Sequence, residues 1–288
     1  MNVLSLFDGM SCGQIALNRS GIKYDKYFAS EIKKHAIQVT QYNYPNTIQL
    51  GDIRNIKGSD LPKIDLLIGG SPCQDFSIAN KERKGLQGLK SSLFYEYYRL
   101  LQETKPKYFL LENVLMSDKD IAVLSELMEI IPVRINSSLV SAQLRDRLYW
   151  TNIGEIETDM FGGLYSKIPQ PKDKNIYLNN SIENGFVIKE KHTCLNTKIG
   201  NEGSEKWRQN RNKTTGMITL IYKDLQDKEN TRFISQIEAE KLQTVPHGYT
   251  KILNKQKAID LLGDGWTIDV ICHIFNEGIK NGQFEVIK

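Results

Sequence analysis

The sequence predicts an α/β protein on an open sheet, with a smaller, irregular second domain. Three observations lead there. Short β-prone runs alternate with helical stretches through roughly the first half of the chain. Successive strand ends carry Gly9, Glu31 and Asp52, residue types that open α/β sheets use at their ligand-binding edge. A fourth apolar run, Ile64-Asp65-Leu66-Leu67-Ile68, exits through Gly69-Gly70-Ser71-Pro72 and presents Cys73. Glycine permits a tight turn and proline fixes φ, so the strand must leave the sheet sharply there. A thiol at that edge is a candidate nucleophile.

Val3-Leu4-Ser5-Leu6-Phe7 reads as the first strand and not as a signal peptide, having no basic leader or cleavage region. Asp8-Gly9-Met10-Ser11-Cys12-Gly13 follows, then a helical stretch from Gln14 to Asn18. Strand, glycine turn and helix N-terminus form a nucleotide-type ligand layout. The full G-x-G-x-x-G is absent, so a purely structural turn fits as well. Tyr27 to Glu31 is a second strand, ending in an acid where such folds hold ribose hydroxyls. Lys33 to Tyr42 is a helix, and Ile48 to Ile53 a third strand bearing Asp52. Together Gly9, Glu31 and Asp52 suggest an adenosine-sized ligand.

After Cys73, the stretch from Gln74 to Ser92 has weak apolar periodicity and exceeds the usual connection length, which points to a functional loop or lid. Ser92-Leu93-Phe94 opens an amphipathic helix through Leu101, broken at Lys105-Pro106-Lys107. Tyr108 to Leu111 is a fifth strand, ending in Glu112-Asn113-Val114. A buried carboxylate is costly without partners, which makes Glu112 a candidate acid with a raised pKa. Asp118 to Ile130 is helical; Val133 to Val140 and Arg147 to Ile153 read as paired strands. Arg145 and Arg147, two apart on a strand, would share a face, as a site or as a surface ion-pair patch. Regularity drops from Glu155 to about Asp227. Arg232 to Gln243 is helical again. Gly263-Asp264-Gly265-Trp266-Thr267 is a second glycine turn, feeding a helix through Phe275.

A composition of 40% hydrophobic and 25% charged residues is that of a soluble globular protein. No run of about 18 apolar residues predicts a membrane span. Cys12, Cys73, Cys194 and Cys272 are widely spaced with no C-x-x-C pair, which argues against a disulfide framework or a cysteine zinc site and for a reducing compartment. The net charge of +4 does not identify a partner by itself. Trp207 to Gly216, however, carries Arg208, Arg211 and Lys213 and no acid. That suits phosphate and base-edge contacts, or a solvated polar loop.

These pieces, in their order, resemble the DNA cytosine-C5 methyltransferases, and the resemblance runs from end to end. Phe7-Asp8-Gly9-Met10-Ser11-Cys12-Gly13 resembles that family's S-adenosylmethionine loop. Ser71-Pro72-Cys73-Gln74-Asp75-Phe76-Ser77 resembles its nucleophile motif, and Glu112-Asn113-Val114 its second catalytic motif. Gln143-Leu144-Arg145-Asp146-Arg147 resembles Q-x-R-x-R. Arg232 to Pro246, with Glu238 and Gln243, resembles the helix bracing the recognition domain. Gly263 to Thr267 resembles the last motif, which returns to the cofactor. Val140-Ser141-Ala142 departs from the usual tyrosine-glycine-proline, and Asp264 stands where asparagine is common. These features, with Gly265-Trp266, resemble phage enzymes and the de novo methyltransferases of animals.

The resemblance implies a Rossmann-like S-adenosylmethionine-dependent methyltransferase fold with a smaller, irregular target-recognition domain. Residues 1–154 and 254–288 would be catalytic, and 155–253 would recognise the target. It implies a DNA (cytosine-5-)-methyltransferase that flips a cytosine and methylates C5 through a covalent Cys73–C6 adduct, with Glu112, Arg145 and Arg147 assisting. S-adenosyl-L-methionine, converted to S-adenosyl-L-homocysteine, would be held by Phe7, Asp8, Gly9, Ser11, Cys12, Gly13, Glu31, Ile32, Asp52, Ile53, Pro72, Leu93, Asp264 and Trp266, with no metal. DNA contacts would come from Gln74, Ser77, Arg83, Lys84, Asn113, Gln143, Arg208, Arg211 and Lys213. The expected partner is double-stranded DNA, with a cognate restriction endonuclease as a further candidate. A monomer without membrane contact is expected, in the cytoplasm, at a bacterial nucleoid or in a phage-infected cell. Two alternatives stand beside this. A tRNA cytosine methyltransferase of the same architecture would carry tRNA-type residues after Val114, where the chain has Leu115-Met116-Ser117. A non-catalytic DNA-binding regulator would not need Pro72-Cys73 and Glu112.

Overall fold

In the computed structural model, residues 1–72, 92–195, 219–224 and 230–287 are described. The chain forms two compact units. The first comprises Met1–Ile135, Asp146–Gln170 and Ile271–Lys288; the second comprises Asn136–Arg145 and Pro171–Val270.

Alternating apolar runs and amphipathic stretches build the first unit in chain order. Strand β1 (Asn2–Leu6), helix α1 (Cys12–Arg19), β2 (Lys26–Ser30), α2 (Lys34–Asn43) and β3 (Ile48–Gln49) come first. Then follow β4 (Leu66–Gly70), α3 (Ser92–Thr104), β5 (Tyr108–Val114), α4 (Asp118–Met128), β6 (Val133–Asn136) and β7 (Asp146–Thr151). A hairpin of β8 (Ile156–Thr158) and β9 (Leu164–Ser166) lies within the stretch that reads as irregular. The seven-stranded sheet has the order β3-β2-β1-β4-β5-β7-β6. Strands β1 to β5 run parallel, and β7 pairs with β5 antiparallel. Strand order reverses between β1 and β4, and ligands of open α/β sheets bind at such a switch point.

The sheet strands are apolar because both faces are covered. Leu4, Leu6, Leu67, Leu111 and Trp150 pack with Phe94, Tyr97 and Leu100 in one core. Gly69 is needed for this packing. A Cβ there would stand 2.9 Å from the Leu6 carbonyl oxygen and 3.1 Å from the Tyr97 ring.

In the second unit, β10 (Ile221–Tyr222) pairs with β11 (Thr231–Arg232) antiparallel. Helix α5 (Gln236–Leu242), α6 (Lys255–Asp264) and the start of α7 (Ile268–Lys280) complete its regular elements among the described residues.

Several boundaries differ from the sequence expectation, each for a local reason. The third strand stops at Gln49, because Gly51 turns left-handed (φ +76°) and the Asp52 side chain caps a 3-10 turn, Ile53–Asn55. β6 stops at Asn136, whose side chain caps another 3-10 turn, Ser137–Leu139. Arg232 lies in a strand, since the following helix starts at a Ser235–Glu238 capping box. The helix before the second glycine turn runs through Asp264. Arg145 precedes β7 and does not lie on a strand with Arg147.

Candidate active site

The turn after β1 is built by backbone conformation. Phe7, Gly9 and Ser11 all have left-handed φ, at 56°, 60° and 64°. Non-glycine residues hold such a conformation only when their surroundings enforce it. Two carboxylates do so. Glu31, at the end of β2, accepts the Gly9 N–H at 2.8 Å through one oxygen. Its other oxygen accepts from the Ile32 and Lys33 N–H groups at 2.8 and 2.9 Å. Asp8 is buried and accepts from the Ser11 hydroxyl at 2.7 Å and the Tyr27 hydroxyl at 2.8 Å. Burial pushes its carboxyl up to about 6, against the pull of the Ser5, Ser11 and Tyr27 hydroxyls.

Gln14 extends this network, donating to Ser11 at 2.9 Å and Thr47 at 2.7 Å. Gly13 permits the close approach of α1 to the sheet, since a Cβ would stand 2.3 Å from Ile68 and 2.6 Å from the Tyr27 hydroxyl. A Cβ at Gly9 would meet nothing within 4 Å, so the turn borders open space. Cys12 is buried, while Ile32 is exposed beside Glu31. Asp52 pairs with Arg54 (Nε to Oδ1, 2.9 Å), which holds its carboxyl below the usual range. Ile53 is buried under that cap.

The second part of the site lies at the ends of β4 and β5. Their register aligns Gly70 with Glu112. Ser71 and Pro72 continue from β4, and Ser71 is buried. Cys73, Gln74, Ser77, Arg83 and Lys84 lie outside the described residues. Leu93, at the start of α3, packs half-buried against the core. Glu112 has the partner that burial demands: its Oε1 is 2.9 Å from Arg147 Nε, with side chains only 10% and 13% exposed. The next residue, Asn113, is buried and donates its amide to the Ser71 hydroxyl at 2.9 Å. Its carbonyl oxygen accepts the Val114 N–H. Asn113 thus spends its side chain inside the protein, tying the exit of β4 to the end of β5.

In the second unit the remaining predicted residues lie as follows. Gln143 is fully buried; its amide donates to the Leu242 carbonyl and to Gln243 Oε1, both at 3.2 Å, and its oxygen accepts the Leu195 N–H. Arg145 donates to the carbonyls of Gly263 at 3.1 Å and Gly265 at 2.8 Å, and to Cys194 Sγ at 3.2 Å. Gln243 donates to Leu262 at 2.6 Å and accepts from Thr267 at 2.8 Å. Asp264 is exposed and Trp266 buried. Arg208, Arg211 and Lys213 lie outside the described residues.

Sequence reasoning passed over Tyr27, Gln14 and Ser71 as functional supports. The signal was present for Gln14, a polar residue on the first turn of a helix that follows a glycine turn. Tyr27 sat in an apolar strand and gave none. Among the described residues no cluster of three or more His, Cys, Asp or Glu is placed to hold a metal. No described helix is long and apolar enough to cross a membrane. A cavity of about 610 Å³ opens near the β8–β9 hairpin, bordered by Ile131, Tyr165, Ile168 and Glu277, and no predicted site residue lines it.

Residues 1–129 match the family model for C-5 cytosine-specific DNA methylase. The orphan methyltransferase M.SPRI of Bacillus phage SPR is 36% identical over 54% of this chain and 38% of its own length. The type II methyltransferase M.NgoBV of Neisseria gonorrhoeae is 33% identical over 60% of this chain and 45% of its own length. The chain therefore spans less than half of these relatives. M1.ScrFI of Lactococcus lactis subsp. cremoris is 26% identical over 93% of this chain and 75% of its own length. The fold is shared with the Entamoeba histolytica methyltransferase EhMeth (TM-score 0.72, 15% identity, 98% of both chains). It is also shared with S. pombe Dnmt2 (TM-score 0.69, 16% identity, 99% of this chain and 100% of the other). The matched N-terminal region, residues 1–129, is thus similar to C-5 cytosine-specific DNA methylases, and the similarity to these relatives extends over part or most of the chain.

Proposed function

We propose that the protein is a DNA (cytosine-5-)-methyltransferase that takes a cytosine out of duplex DNA and methylates C5 by way of a Cys73–C6 adduct. The observation that carries the reading is the β4–β5 register. It aligns Gly70, three residues before Cys73, with Glu112, whose carboxylate is held by Arg147.

Cytosine C5 is a weak nucleophile on its own. A thiolate from Cys73 adds to C6 and raises electron density at C5. Glu112, protonated or sharing a proton, donates a hydrogen bond to N3, where negative charge develops, and Arg147 holds its carboxyl group in place for that contact. After the methyl group is installed, loss of the C5 proton breaks the S–C6 bond and frees Cys73. The target atom is stacked inside a duplex, so the base must be flipped, at a cost of a few kcal/mol. We assign target recognition to residues 155–253, and DNA closure to the stretch that follows Cys73.

The methyl donor is S-adenosylmethionine, which supplies an electrophilic methyl group when bound. The residues fit it. Open space lies beside Gly9, Ile32 offers an apolar wall, and Glu31 has accepted three N–H groups, leaving about one acceptor site for a hydroxyl. Phe7, Ser11, Asp52, Pro72, Leu93, Asp264 and Trp266 belong to the same proposed cofactor set.

Expression in a bacterial host free of cytosine methylation, followed by bisulfite sequencing, tests this. Methylated cytosines in a fixed sequence context are expected, with no methyl incorporation into tRNA. Unmethylated DNA, or methylation of tRNA alone, would overturn the reading.

A further inference from the structure

We propose that Asp8 is a positioning residue. Its carboxylate, buried beneath the 7–13 turn, locks the turn's left-handed residues so that the turn can receive an S-adenosyl ligand, and ligand affinity depends on its ionised form. This rests on the cofactor reading above and deepens it.

The geometry carries the argument. The side chain of Asp8 points inward and is 7% exposed, so it is not itself placed to meet a ligand. Each of its oxygens accepts from a different element: Oδ1 from Tyr27 on β2, and Oδ2 from Ser11 at the head of α1. Asp8 itself is anchored by its N–H to the Ser30 carbonyl, and its own carbonyl accepts the Ser11 N–H, both at 3.0 Å. The turn is thereby held at Phe7, Gly9 and Ser11, its three left-handed positions.

Only an ionised carboxylate suits this arrangement. A carboxylate accepts and does not donate. Both hydroxyls point their protons at it, and the Ser11 oxygen already accepts from Gln14. A proton on Asp8 would face the Ser11 and Tyr27 donors, in a cluster that also includes the Ser5 hydroxyl, and one hydrogen bond that shapes the turn would be lost. The titratable groups facing Asp8 are Tyr27 and Glu31. Burial has raised this carboxyl to about 6, so the change falls near working pH. The sign separates the effect from acid unfolding. A carboxyl raised above its ordinary value favours folding most when protonated, so this group does not unfold the protein as pH falls.

The test is calorimetric titration of S-adenosyl-L-homocysteine into the protein without DNA, from pH 5 to pH 8. If only the ionised form is competent, wild-type affinity falls about tenfold between pH 7 and pH 5, with a midpoint near 6. Asp8→Asn should bind about tenfold more weakly at pH 7 and show no such pH dependence. Should that variant misfold by circular dichroism, Tyr27→Phe serves. It removes a hydroxyl that holds the carboxyl down, so the midpoint should move up. A flat wild-type profile, wild-type affinity in Asp8→Asn, or an unmoved midpoint in Tyr27→Phe would overturn the inference alone. Failure of the wild-type protein to bind at any pH would overturn the cofactor reading and this inference with it.

Discussion

Arg147 donates to a buried carboxylate, whereas Arg145, two positions earlier, donates to main-chain carbonyls. The contrast extends to their surroundings. In the first unit, polar side chains gather at strand ends: Asp8, Glu31, Ser71 and Glu112 sit at or near the ends of β1, β2, β4 and β5. In the second, Gln143, Arg145, Gln243 and Thr267 turn inward and bond one another or nearby carbonyls. Arg145 and Gln243 donate to two of the last carbonyls of α6, Gly263 and Leu262, the latter also accepting the N–H of the cap residue Gly265. One short motif thus contributes to two kinds of environment. Its residue types alone do not say which arginine pairs with a buried carboxylate and which binds main-chain carbonyls.

The contrast can be broken by substitution. Arg147→Ala leaves Glu112 buried without its charge partner. Urea unfolding should show a loss of about 3 kcal/mol, and methyl transfer should fall about a hundredfold in the protein that remains folded. Arg145→Ala should lower unfolding free energy by about 2 kcal/mol while the folded protein keeps most of its turnover. If Arg145→Ala loses turnover and Arg147→Ala loses only stability, the assignment of the two arginines is reversed.

A smaller effect sharpens the same comparison at the strand edge. Ser71 and Asn113 share one neutral, buried hydrogen bond, worth about 1 kcal/mol. Ser71→Ala and Asn113→Ala should each cost about that much, and the double variant should cost less than their sum. Turnover should fall in both single variants with DNA affinity unchanged. Strict additivity, or weakened DNA binding in Asn113→Ala, would return Asn113 to the DNA-contact role that its sequence position suggests.

The sheet was legible because its cause is local. Apolar runs such as Leu66 to Gly70 and glycine exits such as Gly69-Gly70 declare strands by themselves. Two acids were legible for the same reason: Glu31 and Glu112 interrupt apolar patterns at strand ends, whereas Asp52, expected at the end of the third strand, caps the 3-10 turn beyond it. What sequence hides is the direction of a side chain once a cap or turn intervenes. Arg145 reads as part of a strand until the 3-10 turn after Asn136 and the start of β7 at Asp146 displace it. Asn113, expected from the resemblance as a DNA contact, is buried with its amide on the Ser71 hydroxyl, a pairing that only the β4–β5 register reveals. The support that Tyr27 gives the 7–13 turn depends on how α1 packs over β2, a long-range contact that no local pattern encodes.

The central claim is a covalent bond between Cys73 and C6 of a flipped cytosine. Duplex DNA carrying 5-fluorocytosine tests it directly, because fluorine at C5 leaves no proton to remove and the adduct cannot resolve. With S-adenosylmethionine present, denaturing electrophoresis should show a protein–DNA species, and peptide mass spectrometry should place the DNA on Cys73. Cys73→Ala should still bind DNA and form none. Methylation of ordinary DNA without any trapped species, or an adduct mapped to another residue, would contradict the account.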